Sequence, residues 1–120
     1  MYKFERLEVY QLALEYLDLV YLLVARLPRI EDPNLKPQLL KAGTSVVLNI
    51  AEGSTGLSDA EQARFISIAL RSLLETVACR QIVQRRKYLS EDDELLKKME
   101  TLAKDLARKL QNMRNVLEGR

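Results

Sequence analysis

Apolar residues recur every three to four positions along most of the chain, which is the spacing of one face of an α-helix. This period predicts four helices, at about residues 4–27, 35–52, 58–88 and 91–117. No segment shows the strict alternation of apolar and polar residues that is typical of a half-buried strand. Because the connections between these long segments are short, the pattern predicts an all-α, antiparallel up-down-up-down four-helix bundle in a single domain, residues 1–120.

The predicted boundaries depend on residues that commonly begin or end helices. Pro28 lacks the amide hydrogen that a continuing helix needs, and Gly53 stands where a left-handed residue would close helix 2. Ser58 and Glu61 fit a capping box, in which each side chain bonds the backbone amide of the other residue. Ser90, followed by the acidic run EDDE, is predicted to cap helix 4.

Helix 1 carries two apolar lines, whereas a helix of a small bundle needs one broad stripe. The residues of the second line are Val9, Leu12, Tyr16, Leu19 and Leu23. This line either packs between two neighbouring helices of the same chain or forms a contact between subunits. We favour the subunit contact, since a second exposed line would leave a sizeable apolar patch in water. The sequence therefore predicts a homo-oligomer.

The composition is 48% hydrophobic and 30% charged, which is typical of a soluble, helix-rich protein. The longest apolar run is far shorter than the roughly 20 residues of a membrane span. The first residues are charged too early for a signal peptide. We therefore expect a cytoplasmic protein without a membrane partner.

Few residues of the chain offer catalytic or metal-binding chemistry. Histidine is absent, which excludes serine–histidine and cysteine–histidine catalysis as well as histidine metal ligands. Cys79 is the single cysteine and is predicted to be a packed small residue rather than a nucleophile. We expect no metal, no cofactor and no enzymatic activity.

The stretch SVVLNIAEGST, residues 45–55, combines an apolar run with an amide and an acid. Gln38, Ser45, Asn49 and Glu52 share one edge of helix 2, which is either a ligand site or the way in which the helix ends. We favour the structural interpretation, because buried polar groups need hydrogen-bond partners. Asn49 and Glu52 are then predicted to bond free amides of the following loop or of the first turn of helix 3.

Charge is unevenly distributed along the chain. Residues 1–60 carry 6 Lys and Arg against 8 Asp and Glu, whereas residues 61–120 carry 13 against 9. The basic positions of helices 3 and 4 are candidates for phosphate contacts, although lysine and arginine also cover ordinary solvated helix faces. The candidates are Arg80, Arg85, Arg86, Lys87, Lys97, Lys104 and Arg108.

Several motifs of the chain resemble those of the 23S rRNA intervening-sequence proteins, a family of four-helix bundles. The matching motifs are LP at 27–28, PQLLKAGTSVVLNIAEG at 37–53, S..E..RF...A from 58 to 69, S..E from 72 to 75, and YL at 88–89. Asn49, Glu52 and Gly53 belong to the family signature, together with Ser58 and Glu61. One departure is Arg71, where a glycine is expected. If helix 3 packs closely against a neighbour there, either that contact is looser in this chain or the arginine points outwards.

The resemblance implies a bundle that assembles into a pentameric ring and has no known enzymatic activity. Related accessory variability determinant (Avd) proteins of diversity-generating retroelements bind nucleic acid and a reverse transcriptase. We therefore expect an oligomeric protein that binds RNA or DNA, with RNA favoured. The alternative is an Avd-like scaffold that docks a reverse transcriptase.

Overall fold

Four α-helices make up most of the computed structural model, which describes residues 2–55 and 58–119. They are α1 (Glu8–Arg26), α2 (Leu35–Gly53), α3 (Asp59–Arg85) and α4 (Glu94–Leu117). Each helix packs against its neighbours in sequence, and α1 also packs against α4. These two ranges contain no strand. The predicted antiparallel four-helix bundle is confirmed.

Three of the helices are shorter than the apolar period indicates. A 3-10 turn, Lys3–Arg6, precedes α1, and the backbone is extended at Leu7, so the helix begins at Glu8 rather than near residue 4. At the other end of the bundle, α3 ends at Arg85 rather than near residue 88. The cause is Lys87, whose backbone is left-handed with φ of 59° and therefore cannot continue the helix.

The start of α4 also differs from the prediction. Asp93 is the N-cap, and its Oδ1 accepts a hydrogen bond from the amide of Leu95 at 2.9 Å. Ser90 instead accepts from the amide of Asp92 at 3.2 Å, within the turn that precedes the helix. The cap of α4 is therefore Asp93, the last acid before the helix, and not Ser90.

Ser58 caps the start of α3, as the sequence predicts. Ser58 is the N-cap of α3, and its Oγ accepts from the amide of Glu61 at 3.3 Å. This bond satisfies one of the amides that a helix leaves free in its first turn.

The core lies along the bundle axis and takes one apolar stripe from each helix. Val9, Tyr16 and Leu23 of α1 are buried in it, with exposed fractions of 5%, 0% and 0%. Leu12 and Leu19 are half-buried against the same core. The second apolar line of helix 1 is therefore wedged between neighbouring helices of its own chain, and our assignment of it to a subunit contact is wrong for the buried residues.

A polar pair crosses the centre of the core. The Tyr16 hydroxyl lies 2.7 Å from Thr76 Oγ1, which itself donates to the carbonyl oxygen of Leu73 at 2.6 Å. Since Thr76 has only one hydroxyl proton, Tyr16 is the donor between the two. This bond joins α1 to α3 diagonally and leaves neither buried hydroxyl without a partner.

Glycines allow α2 to approach both of its neighbours closely. A Cβ atom at Gly43 would lie 3.0 Å from Leu17 Cδ1, and one at Gly53 would lie 3.2 Å from Phe65 Cβ. Gly53 is the last residue of α2, and it is not among the residues with positive φ. The predicted left-handed role of Gly53 is therefore wrong, and the residue serves the close packing of α2 against α3.

Isolated apolar side chains remain on the outer faces of the bundle. They include Tyr21, Leu22, Leu48, Leu74 and Ile82. None of the helices in the described part of the chain is long and apolar enough to cross a membrane.

Candidate nucleic-acid interface

The seven cations predicted to bind phosphate lie in three different surroundings. Arg85, Arg86 and Lys87 are exposed at the end of α3. Lys97, Lys104 and Arg108 are exposed along α4. Arg80 is buried between α3 and α4, so it does not belong to either exposed group.

The backbone at the end of α3 presents the first group to solvent. The amide of Lys87 donates to the carbonyl of Gln84 at 3.0 Å, and the amide of Tyr88 donates to the carbonyl of Val83 at 3.3 Å. This pair of bonds is a Schellman motif, in which the left-handed position is usually a glycine. Here Lys87 occupies that position. We call the three residues Arg85, Arg86 and Lys87 the basic end of α3.

The electrostatics of the helix favour cations at this position. The carbonyls of the last turn carry partial negative charge, which stabilises nearby arginine and lysine side chains. In the described parts of the chain, no acid lies within ion-pair distance of the three cations. The basic end of α3 therefore presents three charges that a phosphate can approach without displacing a carboxylate.

A buried carboxylate anchors the loop that follows the basic end. Glu31 is 8% exposed and accepts hydrogen bonds from the Tyr88 hydroxyl at 2.7 Å and from the Leu35 amide at 3.3 Å. The Tyr88 bond is the main cause that holds the pKa of Glu31 below its ordinary value, and the positive charge of Arg86 adds to it. Glu31 thereby joins the start of α2 to the residue next to Lys87.

The cations of α4 are arranged differently, because each lies beside an acid. Lys104 Nζ is 3.1 Å from Glu100 Oε1, and Arg108 Nη2 is 2.6 Å from Asp105 Oδ1. Lys97 Nζ is 4.0 Å from an Asp92 carboxylate oxygen. Such exposed pairs are weak, but they cancel much of the local positive field. The α4 face is thus a row of alternating charges rather than a cationic stripe.

Arg80 is the candidate whose surroundings differ most from the prediction. It is only 6% exposed, and its Nε and Nη1 atoms are buried without a hydrogen-bond partner among the described residues. It lines a groove of about 360 Å³ between α3 and α4. Arg80 therefore does not lie on an open basic face with the other six candidates.

Hydroxyl groups, rather than the predicted amide and acid, close the end of α2. Ser54 Oγ donates to the carbonyl of Ala51 and Thr55 Oγ1 donates to that of Glu52, both at 2.8 Å. Asn49 instead donates to the carbonyl and the hydroxyl of Ser45, one turn earlier in the helix. The predicted bonds of Asn49 to the following loop are therefore wrong, and the Glu52 residue is exposed.

Ser45 connects this edge of α2 to α3. Its hydroxyl lies 2.7 Å from the hydroxyl of Ser72. Gln38, at the far end of the same edge, bonds Asn34 at 2.7 Å and takes no part in that connection. Arg71 is exposed, so its side chain points outwards, which is one of the two outcomes expected from its departure from the family pattern.

Cys79 and the acids offer little chemistry within the described residues. Burial raises the pKa of the Cys79 thiol, and the charge of Glu75 adds to this effect. A raised pKa disfavours the reactive thiolate, which fits the predicted packing role. The described ranges contain no group of three or more acids or cysteines that could hold a metal ion.

Two loop anchors have no periodic signature and were missed from the sequence. One is Glu31, described above. The other is the pair of Arg26 and Asp93, joined by hydrogen bonds of 3.0 and 2.6 Å between the end of α1 and the cap of α4. Burial raises the cost of an unpaired charge, so an acid in the predicted loop just before the start of helix 2 is the signal that could have indicated Glu31.

Comparison with known proteins places this architecture in a family. A solved structure from Bacteroides thetaiotaomicron, described as a protein of unknown function from the S23 ribosomal protein family, has the same fold, with a TM-score of 0.79. It is 22% identical in sequence, and the match covers 88% of this chain and 97% of that one. No curated protein matches the chain. The profile of the 23S rRNA-intervening sequence proteins matches residues 5–112, and the chain therefore belongs to that family.

Proposed function

We propose that the protein is a non-enzymatic, oligomeric nucleic-acid-binding protein that holds phosphates mainly at the basic end of α3. The observation that carries this proposal is the exposure of Arg85, Arg86 and Lys87, none of which has an acid of the described residues within ion-pair distance. Guanidinium and ammonium groups bind phosphate oxygens, and each contact releases counterions from the nucleic acid. Binding should therefore weaken steeply as salt rises.

RNA is the favoured ligand. The name of the family refers to intervening sequences of 23S rRNA, which supports RNA over DNA. The described residues show no row of exposed aromatic rings on α3 or α4 that could stack a series of bases. We therefore expect phosphate contacts to dominate affinity, with little discrimination between base sequences.

An oligomer is part of the proposal, but its subunit contact uses a different surface from the second apolar line of helix 1. Because Val9, Tyr16 and Leu23 fill the core, a subunit contact must use side chains that point outwards. Leu22 and Leu48 are each more than half exposed, on α1 and α2. A ring would repeat the basic end of α3 around its axis and strengthen the summed positive field.

The same exposed leucines support the second candidate, an Avd-like scaffold that docks a reverse transcriptase. An apolar side chain in water gains free energy when a protein partner covers it. This candidate requires a partner gene, so a reverse transcriptase encoded beside this chain would favour it.

The direct test measures binding of the purified protein to a fluorescent structured RNA and to a matched duplex DNA across a salt series. The mass is recorded by light scattering on the same preparation. The proposal predicts a mass of several chains and an affinity that falls steeply with salt. A matched pair of triple alanine variants, one at the basic end of α3 and one at Lys3, Arg6 and Arg71, removes equal charge from different places.

Loss of binding in the first triple variant but not in the second supports the proposal. Equal loss in both would indicate a response to net charge alone and would contradict it. Absence of binding at low salt, with the same mass, would favour the protein-docking candidate.

A further inference from the structure

Arg80 places a positive charge where the protein supplies no acceptor for two of its donors. Its Nε and Nη1 atoms are buried, and no described residue accepts a hydrogen bond from them. A buried charge normally has a partner, because removal from water is costly unless its hydrogen bonds are replaced. Hence the guanidinium needs an oxygen acceptor that the described residues do not provide.

The lining of the groove beside Arg80 combines charged and apolar residues from both α3 and α4. The charged residues are Arg80, Lys104 and Glu100, of which the last two bond each other at 3.1 Å. With one acid against two cations, the three ionised groups carry a net charge of +1. Attraction by Arg80 also contributes, after the bond and charge of Lys104, to holding the pKa of Glu100 below its ordinary value. The site thus matches a ligand with a single negative charge.

The apolar part of the groove lining offers a surface against which a base could pack. This apolar wall consists of Leu73, Leu74, Val77, Ala103 and Ala107. Gln81 and Gln84 add amides, which can donate to and accept from the edge of a base. A volume of about 360 Å³ lies within the range of small-ligand sites.

The groove is also continuous with the basic end of α3. Gln84 lines it and is one residue before Arg85, and Gln84 also lines a smaller pocket with Lys87. Arg85 lies five positions after Arg80, which corresponds to roughly 7.5 Å along the helix axis. A strand held at the basic end therefore has a neighbouring nucleotide within reach of the groove.

We propose that this groove binds one unpaired nucleotide, with its phosphodiester at Arg80 and Lys104 and its base against the apolar wall. The inference rests on the proposed nucleic-acid function and adds a ligand class, unpaired rather than duplex nucleotides. A phosphate oxygen in the groove supplies the acceptor that the guanidinium lacks.

The test follows the Nε–H signal of Arg80 and the side-chain amide signals of Gln81 and Gln84 by nuclear magnetic resonance. The probes are the dinucleoside monophosphate ApA, adenosine and inorganic phosphate, each titrated separately. We expect ApA to shift these signals saturably. ApA should also bind at least about tenfold more tightly than phosphate or adenosine, since only ApA combines a phosphodiester for the charged residues with a base for the apolar wall. Equal affinity for phosphate and ApA would overturn the nucleotide assignment.

Variants separate binding from folding. Arg80→Met replaces the guanidinium with an unbranched apolar side chain, and we expect its affinity for ApA to fall about tenfold or more, as for loss of a charged hydrogen-bond donor. Arg71→Met, at an exposed position of the same helix, is the matched control and should bind ApA like the unchanged protein. If Arg80→Met fails to fold, Lys104→Met at an exposed position tests the charged residues of the groove instead. Its affinity for ApA should fall about threefold.

The outcomes for the groove and for the proposed function are distinguishable. If RNA binding depends on the basic end of α3 while ApA leaves the Arg80 signal unchanged, the groove inference fails and the function stands. If ApA binds the groove while RNA affinity is insensitive to salt and to the basic end, the function fails and the nucleotide site stands.

Discussion

The end of α3 and the outer face of α4 carry similar numbers of cations but present them to solvent in opposite ways. On α4, Lys104 and Arg108 lie beside acids three or four positions away on the same helix, where side chains naturally meet. At the end of α3 the chain leaves the helix at Lys87, so no further turn of this helix places an acid beside the three cations. A count of basic residues therefore overstates the ability of α4 to bind phosphate and understates that of the end of α3.

This difference also explains why the charge of a segment is a weak guide to binding. Each ion pair on α4 has a small net free energy, yet a phosphate that approaches must either displace the acid or tolerate it. The three cations of α3 are held instead by the partial negative charge of the helix end, which remains when a phosphate binds. Position within the helix, rather than the number of charges, thus separates the two regions.

The largest expected effect is the loss of RNA binding when the basic end is removed. Replacing Arg85, Arg86 and Lys87 with alanine should weaken binding about 100-fold at low salt, if each phosphate contact contributes about 1 kcal/mol. The slope of log affinity against log salt should fall by about 2 to 3, one for each lost contact. Fluorescence anisotropy over a salt series measures both quantities.

The matched comparison is the triple alanine variant of Lys97, Lys104 and Arg108. It removes the same charge from α4 and should weaken binding only about threefold, because the acids that remain already offset these cations. Circular dichroism confirms that both variants are folded. Similar losses in the two variants would contradict the distinction between the two regions.

A smaller effect is expected from the backbone of Lys87. Lys87→Gly should stabilise the protein by about 1 kcal/mol, since a left-handed conformation costs a side-chain-bearing residue roughly that much more than glycine. The same change removes one cation from the basic end and should weaken RNA binding about fivefold, the equivalent of about 1 kcal/mol. Urea denaturation measures the first quantity and anisotropy the second.

Lys87→Ala is the control, since it removes the charge but keeps the Cβ atom. It should weaken RNA binding as much as glycine does and give none of the added stability. If glycine and alanine are equally stable, the left-handed conformation carries no strain at this position.

A weaker effect should follow when the acids of α4 are neutralised. Asp92→Asn together with Asp105→Asn frees Lys97 and Arg108 from their ion pairs and should strengthen RNA binding about threefold. Glu52→Gln together with Glu75→Gln changes the net charge equally at exposed positions on α2 and α3. An equal gain in this second pair would mean that overall charge, and not the release of the α4 cations, determines the response.

The apolar period was sufficient to predict the four helices and their antiparallel order, because burial of one face per helix follows directly from spacing. It was not sufficient to decide what covers the second face of helix 1. The sequence pattern is the same whether a neighbouring helix or another subunit buries Val9, Tyr16 and Leu23. The decision depends on how far α1 is rotated in the bundle, and residues distant in sequence determine that rotation.

The candidate site was predicted less well for a related reason. Arg80 and Arg85 are both basic residues of one helix, and only the position of α4 buries the first and leaves the second exposed. Gly53 likewise could end a helix or permit close packing, and the distance to Phe65 decides between these roles. Local rules identified the residue types correctly but could not supply the neighbours that give them their function.

The last and smallest effect at neutral pH concerns the anchor behind the basic end, Glu31. The pKa of Glu31 lies below the ordinary 4.5, mainly because the Tyr88 hydroxyl donates a hydrogen bond to the carboxylate. Bonds from the Leu35 amide and the Asn34 side chain and attraction by Arg86 add to this effect, and together they outweigh desolvation. A carboxyl whose pKa is lower in the folded state stabilises the protein fully above its unfolded pKa, and this contribution disappears as pH falls through the folded pKa. Carbon-13 resonance of the Glu31 carboxyl should therefore titrate below 4.5. The advantage of the unchanged protein over Glu31→Gln in urea denaturation should be constant near neutral pH and shrink below about 4.5. A Glu31 titration at or above the ordinary value would show that the Tyr88 bond does not hold the loop behind Lys87.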